Sequence, residues 1–140
     1  QIVLEEGLNA RIQRHTRHHR MLRAGLEALG LEYIPQHSLT TLNAVKVPEG
    51  IDDATVRKSL LKDYNIEIGA GLGPFKGQAW RIGLMGSSST QANVMLVLAA
   101  LERLLVDQGY VVDRGAASAA AAASLRESNA SNNSTAAAAR

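Results

Sequence analysis

Apolar residues recur at spacings of three and four over the first 29 positions, which is the period of one face of an α-helix. This face contains Leu4, Leu8, Ile12, Leu22, Leu26 and Leu29, and it is completed by His15 and His19. Gly30 follows as a typical C-terminal cap, so we predict one long helix from Gln1 to Leu29. The pattern starts without a capping side chain, so we expect a chain severed inside a helix.

The next segment reads as short strands around a second helix. Pro35, the turn at Pro48 and Gly50, and Asn65 bound runs that are rich in apolar and β-branched residues. The predicted strands are Leu31–Ile34, Leu39–Val47 and Ile66–Ile68. Between the last two, Asp52 caps a predicted helix that ends near Tyr64 and buries Val56, Leu60 and Leu61.

A glycine-rich loop and a fourth predicted strand fill the segment from Gly69 to Gly86. Glycine lets the backbone approach a neighbouring group closely, and Pro74 keeps the loop from continuing as a helix or a central strand. The side chains of the strand Trp80–Leu84 alternate between two faces. Trp80, Ile82 and Leu84 lie on one face, and Arg81, Gly83 and Met85 lie on the other.

Arg81 is the candidate chemical group of this segment. A guanidinium is always charged and presents a rigid fork of donors that matches a carboxylate or a phosphate, which favours an anion anchor. The alternative is an arginine that pairs with a neighbouring carboxylate or lies on the solvated face of the sheet. Spacing alone favours this alternative, because strands often carry one exposed arginine.

The glycine loop does not fit two common phosphate-binding motifs. Gly69, Gly71 and Gly73 resemble a dinucleotide fingerprint, but a strand follows them where that motif needs a helix. Lys76 is followed by Gly77 and Gln78, so the closing Gly-Lys-Ser/Thr of a P-loop is missing. We therefore expect the loop to form a turn between two strands.

The last helix and the tail differ sharply in composition. Ser88 and Gln91 form a predicted capping box for a helix that runs to about Asp107 and buries Val94, Leu98, Leu101 and Leu105. From about Asp113 the chain is dominated by alanine, serine and asparagine. Such a segment has few large apolar residues to bury, so we predict a disordered tail over residues 113–140.

Composition and charge exclude some classes of function and leave others open. The 140 residues make about one domain, and the absence of cysteine rules out disulfides and thiolate metal sites. Five arginines recur every third residue in the first helix, a spacing that predicts a collar around the helix and not one basic face. They are Arg11, Arg14, Arg17, Arg20 and Arg23. His15 and His19 could share a metal, but we interpret them as interface side chains and predict no metal site.

Two stretches resemble a known family. The sequences LTTLNAVKVPEGIDDATVRKSLL and EIGAGLGPFKGQAWRIGLMG, the latter followed by a capped helix, resemble the C-terminal small domain of the class V pyridoxal-phosphate aminotransferases. The branch is that of the alanine–glyoxylate and serine–pyruvate enzymes, and the resemblance covers approximately Gln1 to Gly109. It implies an α+β fold, a small antiparallel sheet with helices on one face. It also implies a domain over residues 1–112, in which helix 1–30 links to a larger domain.

The resemblance also implies which residues meet a substrate. In similar enzymes the arginine at the position of Arg81 clamps the substrate carboxylate, which reverses the preference given above for a structural arginine. Gly71, Leu72 and Gly73 would then form the loop near the site. Transamination also needs a Schiff-base lysine and a phosphate cup for pyridoxal phosphate, which the family carries in its large domain. We therefore expect no catalytic, cofactor-binding or metal residue in this chain, which should be inactive alone.

The expected partners are the large cofactor-binding domain, a second copy in a homodimer, and small amino or keto acids. We expect neither nucleic acid nor a membrane, and an intracellular setting, cytoplasmic or peroxisomal as in the family. Two alternatives stay open at this point: a stand-alone module that binds small carboxylates, and a nucleic-acid binder that uses the arginine collar.

Overall fold

The structure is a computed structural model that describes residues 2–35 and 39–138, without the side chains of Ile2 and residues 131–138. The helices are α1 (Ile2–Glu6), α2 (Leu8–Ala28), α3 (Asp53–Tyr64), α4 (Gln91–Asp107) and α5 (Ala116–Ala138). The strands are β1 (Leu42–Lys46), β2 (Gly69–Ala70) and β3 (Ala79–Gly83). Across the part of the chain that is described, no helix is both long enough and apolar enough to cross a membrane.

The strands form one antiparallel sheet in the order β1-β3-β2, so β3 is central. Trp80, Ile82 and Leu84 are buried in a core that they share with residues of α2, α3 and α4. On the other face Arg81 is half-buried and Gly83 is exposed. The alternation predicted for this strand is therefore confirmed, and so is the predicted α+β fold with helices on one face of a small sheet.

The predicted N-terminal helix is wrong in one respect, because two helices, α1 and α2, meet at Gly7. Gly7 has a φ of 83°, a conformation that residues with side chains rarely adopt. The predicted end is confirmed: Gly30 has a φ of 77° and donates its N–H to the carbonyl of Glu27, while Leu31 donates to Leu26. The predicted start at Gln1 lies outside the described residues.

Helix α3 begins and ends where the sequence predicts. The Asp52 side chain accepts a hydrogen bond from the N–H of Thr55, and Asn65 ends the helix in the left-handed conformation with a φ of 54°. Val56 and Leu60 are buried as predicted. Leu61 is not, because it lies on the exposed side of the helix.

The edges of the sheet are shorter than predicted. Leu31–Ile34 contributes only an isolated bridge between Tyr33 and Val45, and the predicted strand Leu39–Val47 is reduced to β1. The predicted strand Ile66–Ile68 is wrong, since β2 begins after it at Gly69. The N–H of Ile66 donates instead to the carbonyl of Leu60, so the residues after Asn65 complete the cap of α3 before pairing starts.

Helix α4 covers its predicted span, but its cap is not the predicted one. Thr90 is the N-cap and its hydroxyl accepts from the N–H of Asn93, while Ser88 belongs to a short 3-10 turn, Gly86–Ser88. The pair Ser88 and Gln91 therefore does not form a capping box. The predicted buried residues Val94, Leu98, Leu101 and Leu105 are confirmed.

The tail differs from the predicted disorder, because α5 packs against α2. Ala117 and Ala121 are fully buried, and both oxygens of Glu102 accept from the N–H of Gly115 just before the helix. Alanine is the strongest helix former, and its small side chain lets two helices approach closely. Sequence reasoning missed the surface of α2 on which this segment packs. The domain boundary near residue 112 stays a prediction.

Candidate functional site

Arg81 lies at the middle of the central strand. Its direct neighbours across the sheet are Ala44 in β1 and Gly69 in β2. Directly opposite residues of an antiparallel pair place their side chains on the same face. The guanidinium therefore lies on the face of the sheet that the core helices leave open.

The residues nearest to Arg81 along β3 and directly across the sheet are small. The row through Arg81 holds Ala44 and Gly69, the next row along β3 begins at Ala79, and Gly83 lies on the other side. The N–H of Gly71 donates to the carbonyl of Ala79, which continues the pairing by one residue. None of these five neighbours has more than a methyl group, which leaves space directly beside the guanidinium. Leu42 and Lys46 of β1, which pair with Gly83 and Ala79, bound this space on the same face.

The guanidinium is held by backbone and not by a carboxylate. Nε of Arg81 donates to the carbonyl oxygen of Ala70 at 2.8 Å. Within the described side chains, no aspartate or glutamate forms an ion pair with Arg81. This bond engages Nε, and an anion anchor would use the two terminal nitrogens.

A hydrogen-bonded pair on the opposite face ties β3 to α3. The indole N–H of Trp80, next to Arg81, donates to Oδ1 of Asp53 at 2.9 Å. Arg57 donates to both oxygens of the same carboxylate, at 2.8 and 3.0 Å. The Arg57 guanidinium, with the Trp80 indole, lowers the pKa of the Asp53 carboxyl group below its ordinary value. This buried carboxylate fixes the rotamer of Trp80 and, through it, the position of β3.

Asn43 makes a second connection from the core to the central strand. Its side chain is fully buried and its amide donates to the carbonyl of Ile82, while its oxygen accepts from the hydroxyl of Tyr33 at 2.9 Å. His19 on α2 has a pKa lowered mainly by burial and also hydrogen-bonds to Asn43. Sequence reasoning missed Asn43. The available signal was its position two residues before buried Val45, on the core face of β1.

The glycine loop forms a turn between two strands, as predicted. Gly73–Phe75 is a 3-10 turn, and Gly71 is buried at its start. Leu72 is exposed, and Gly73 has a positive φ of 54° with open space around it. The loop follows directly on Ala70, the acceptor of the Arg81 bond. Its role beside a bound ligand stays a prediction.

The arginine collar is largely engaged in structural contacts. Arg11 and Arg14 pair with Glu6, and the pKa of Glu6 falls to about 2, mainly through the hydrogen bond from Arg14. Arg14 also donates to the carbonyls of Gly86 and Ser89, and Arg23 pairs with Glu27. These contacts use three of the five arginines within the molecule and support the collar interpretation over a nucleic-acid face.

The candidate metal ligands His15 and His19, and their neighbour His18, are buried side chains of α2. His15 Nδ1 lies 2.8 Å from the carbonyl of Arg11, and His18 Nδ1 lies 3.1 Å from the hydroxyl of Ser89. Burial lowers the pKa of His18. Across residues 2–35 and 39–138, no three His, Asp or Glu side chains cluster in a way that could hold a metal ion.

A cavity of about 370 Å³ lies on the core side of β3, away from Arg81. It is lined among others by Tyr64, Glu67, Ile82 and Leu96, and Arg81 does not contribute to it. A ligand bound by Arg81 would therefore not occupy this cavity.

The chain is similar to glyoxylate aminotransferases. It is 42% identical over 118 residues to the (S)-ureidoglycine–glyoxylate transaminase of Bacillus subtilis, covering 83% of this chain and 28% of that protein. It is 38% identical over 102 residues to the alanine–glyoxylate aminotransferase of Drosophila melanogaster, covering 71% and 26%. No protein-family model matches the chain.

The comparison with solved structures agrees with the comparison of sequences. The crystal structure of the ureidoglycine–glyoxylate aminotransferase from Bacillus subtilis superimposes with a TM-score of 0.85 and 39% identity, over 89% of this chain and 33% of that one. The chain thus spans at most about a third of the length of these relatives. Sequence and fold agree that the chain belongs to the class V aminotransferase family, in its alanine– and serine–glyoxylate branch.

Proposed function

We propose that this chain is the substrate-carboxylate-binding domain of a pyridoxal-phosphate-dependent aminotransferase. The reaction would move an amino group from alanine or serine to glyoxylate or pyruvate. The observation that carries the proposal is the Arg81 guanidinium, which has no carboxylate partner among the described side chains and has small residues as its direct neighbours across the sheet. Held in a bidentate pair, the carboxylate of an amino acid would be fixed in direction, so that its amine points to one place.

We further propose that the cofactor is bound outside this chain. Pyridoxal phosphate, when bound, supplies an electron sink for breaking a bond at the substrate Cα, and it needs a lysine that reaches it. The lysines here do not fit that role: Lys46 pairs with Glu32 at 2.8 Å, and Lys58, Lys62 and Lys76 are exposed. The chain alone would then be inactive.

The exposed apolar side chains of the N-terminal helices support a missing partner surface. Leu4 is 87% exposed, Leu8 65% and Ile12 54%, although all three continue the apolar face whose later members are buried. Relatives are about three times longer than this chain. The large cofactor-binding domain that we propose for the rest of the enzyme would cover these three side chains, and a homodimer of the complete enzyme is part of the same proposal.

The exposed side chains of Leu4, Leu8 and Ile12, which form an apolar stripe, predict that the 140-residue chain associates with itself. Replacing Leu8 with serine should weaken this association by about tenfold to a hundredfold, because burying one leucine contributes about 1.5–3 kcal/mol. Sedimentation velocity over a concentration series measures the effect. Leu39→Ser is the matched control, since Leu39 is equally exposed but lies away from the stripe in sequence. A wild-type chain that stays monomeric at high concentration would argue against an unpartnered face.

Pyruvate titration tests the carboxylate site without the cofactor. We expect the Nε–H signal of Arg81 to shift in ¹⁵N NMR spectra with a millimolar Kd, because two hydrogen bonds to a charged group contribute about 4 kcal/mol together. The backbone amide signals of β2 and β3 report binding in variants that lack this arginine. Arg81→Lys should abolish their response to pyruvate, whereas Arg20→Lys, on the exposed side of α2, should not. Absence of any shift at Arg81 would contradict the proposal, and a micromolar Kd would favour a stand-alone binding module.

A further inference from the structure

Gly69 lies directly across the sheet from Arg81 and beneath its guanidinium. A Cβ atom added to Gly69 would lie 3.1 Å from Nη2 and 3.3 Å from both Cζ and Nε of Arg81. Because these three atoms are almost equidistant from that point, the planar group faces the position that a Cβ of residue 69 would occupy. A methyl group there would sit inside the contact distance of about 3.5 Å, so the guanidinium would have to move away by a few tenths of an ångström.

The position of the guanidinium decides which of its edges a ligand can use. Nε donates at 2.8 Å to Ala70, the residue that follows Gly69, so the Nε edge is occupied by the strand itself. The remaining bidentate edge is the end-on pair of terminal nitrogens. Lifting the group off β2 would lengthen the Nε bond and rotate this end-on edge.

No backbone requirement explains the glycine. Gly69 does not have a positive φ, so alanine could adopt its backbone conformation. Glycine inside a strand is destabilising relative to alanine, because it loses more freedom on folding and packs no side chain. Its effect here is to leave the space that the guanidinium occupies.

We propose that Gly69 is a positioning residue of the carboxylate site. Its missing side chain seats the Arg81 guanidinium against β2, which lets Ala70 hold Nε and presents the two terminal nitrogens end-on to the ligand. The close contact between the Arg81 guanidinium and Gly69 exists without a ligand, whereas its importance for ligand binding rests on the proposed function. The site therefore selects carboxylates that approach along the axis of the Arg81 side chain.

Comparison of Gly69→Ala with Gly83→Ala tests this role in the 140-residue chain. Gly83 shares the strand face and has no positive φ, and its added Cβ would meet only the flexible end of Met85. In Gly69→Ala, exchange of the Arg81 Nε–H with water should become about tenfold faster without ligand, as a bond of about 1.4 kcal/mol is lost. The Kd for pyruvate should rise by about fivefold to tenfold.

The control variant and the fold reporter make the result specific. Gly83→Ala should keep both the exchange rate and the Kd within about twofold of wild type. Trp80, the one tryptophan of the chain, reports the fold by fluorescence. Its unfolding transition should change little in either variant, because the gain of about 0.4–1 kcal/mol from Gly→Ala offsets most of the lost bond. A merely structural role of Gly69 would instead lower that transition strongly.

Unchanged exchange and unchanged Kd in Gly69→Ala would overturn the inference, and loss of pyruvate binding in Arg81→Lys would show that the proposed function still holds. Equal losses in Gly69→Ala and Gly83→Ala would overturn it as well, because the effect would not be local to the guanidinium. Wild-type affinity in Arg81→Lys would remove the proposed function together with the ligand role of Gly69.

Discussion

Gly71→Ala is expected to lower the free energy of unfolding by about 3 kcal/mol, the upper range for overpacking a well-packed site. A Cβ at this position would lie 1.9 Å from the carbonyl oxygen of Phe75 and 2.6 Å from its carbonyl carbon. These are backbone atoms, and the same oxygen accepts from the N–H of Gln78 at 2.9 Å. No rotamer change can relieve the contact, so the turn must open. Urea unfolding followed by Trp80 fluorescence measures the loss.

Gly73→Ala separates steric contact from backbone strain in the same turn. Gly73 has a φ of 54° and nothing within 4 Å of an added Cβ, so alanine there should cost only about 1–2 kcal/mol for the left-handed conformation. Gly71 shows the reverse: it has no positive φ, but an added Cβ would meet the backbone of Phe75. Equal stability of the two variants would show that the contact between Gly71 and Phe75 does not limit the turn.

The distinction matters for the candidate site because the turn connects the two strands that hold Arg81. Gly71 donates its N–H to Ala79 at 2.8 Å, and Ala70 accepts from Arg81. Opening the turn would move β2 away from β3 at the row next to the guanidinium. Gly71 therefore supports the position of the Arg81 guanidinium through the backbone, and in our proposal Gly69 supports it through the space that it leaves.

Local signals in the sequence were sufficient for the parts of the fold that depend on local chemistry. Asp52 and Asn65 each determine one end of α3 through their own side chain or backbone conformation, and alternation along Trp80–Leu84 determined which face of β3 is buried. The capping box failed because Ser88, Ser89 and Thr90 are all competent caps, and only the 3-10 turn at Gly86 selects Thr90.

Features that depend on distant residues could not be predicted. The alanine-rich segment carries no apolar pattern strong enough to specify a partner, and its burial depends on the surface of α2 about one hundred residues earlier. The same holds for the site. The sequence indicated Arg81 as a charged residue on the open face, but its bond to Ala70 and its seat on Gly69 arise from strand pairing, which one sequence does not specify.

Replacing Arg81 should have a different effect from replacing the arginines that form ion pairs. Arg14 and Arg57 form ion pairs with carboxylates, so replacing either of them should mainly lower the free energy of unfolding. Arg81 has one bond to a carbonyl and a donor edge left over. In an aminotransferase, that edge would bind the substrate in both ground and transition states and would orient its amine. Orientation is the larger contribution, since a displacement of about 1 Å can cost about a hundredfold in rate.

Arg81→Lys in the complete enzyme that we propose should therefore lower kcat/KM for alanine or serine by about 10²–10³-fold, with both a raised KM and a lower kcat. Lysine keeps the charge but replaces a planar fork by a single point donor, so the carboxylate would be attracted without being oriented. Steady-state kinetics with several amino donors measure the loss, and Arg20→Lys provides the control for a general effect of the substitution. A uniform rise in KM with kcat unchanged would assign Arg81 to binding alone, and wild-type kinetics across all donors would remove it from the site.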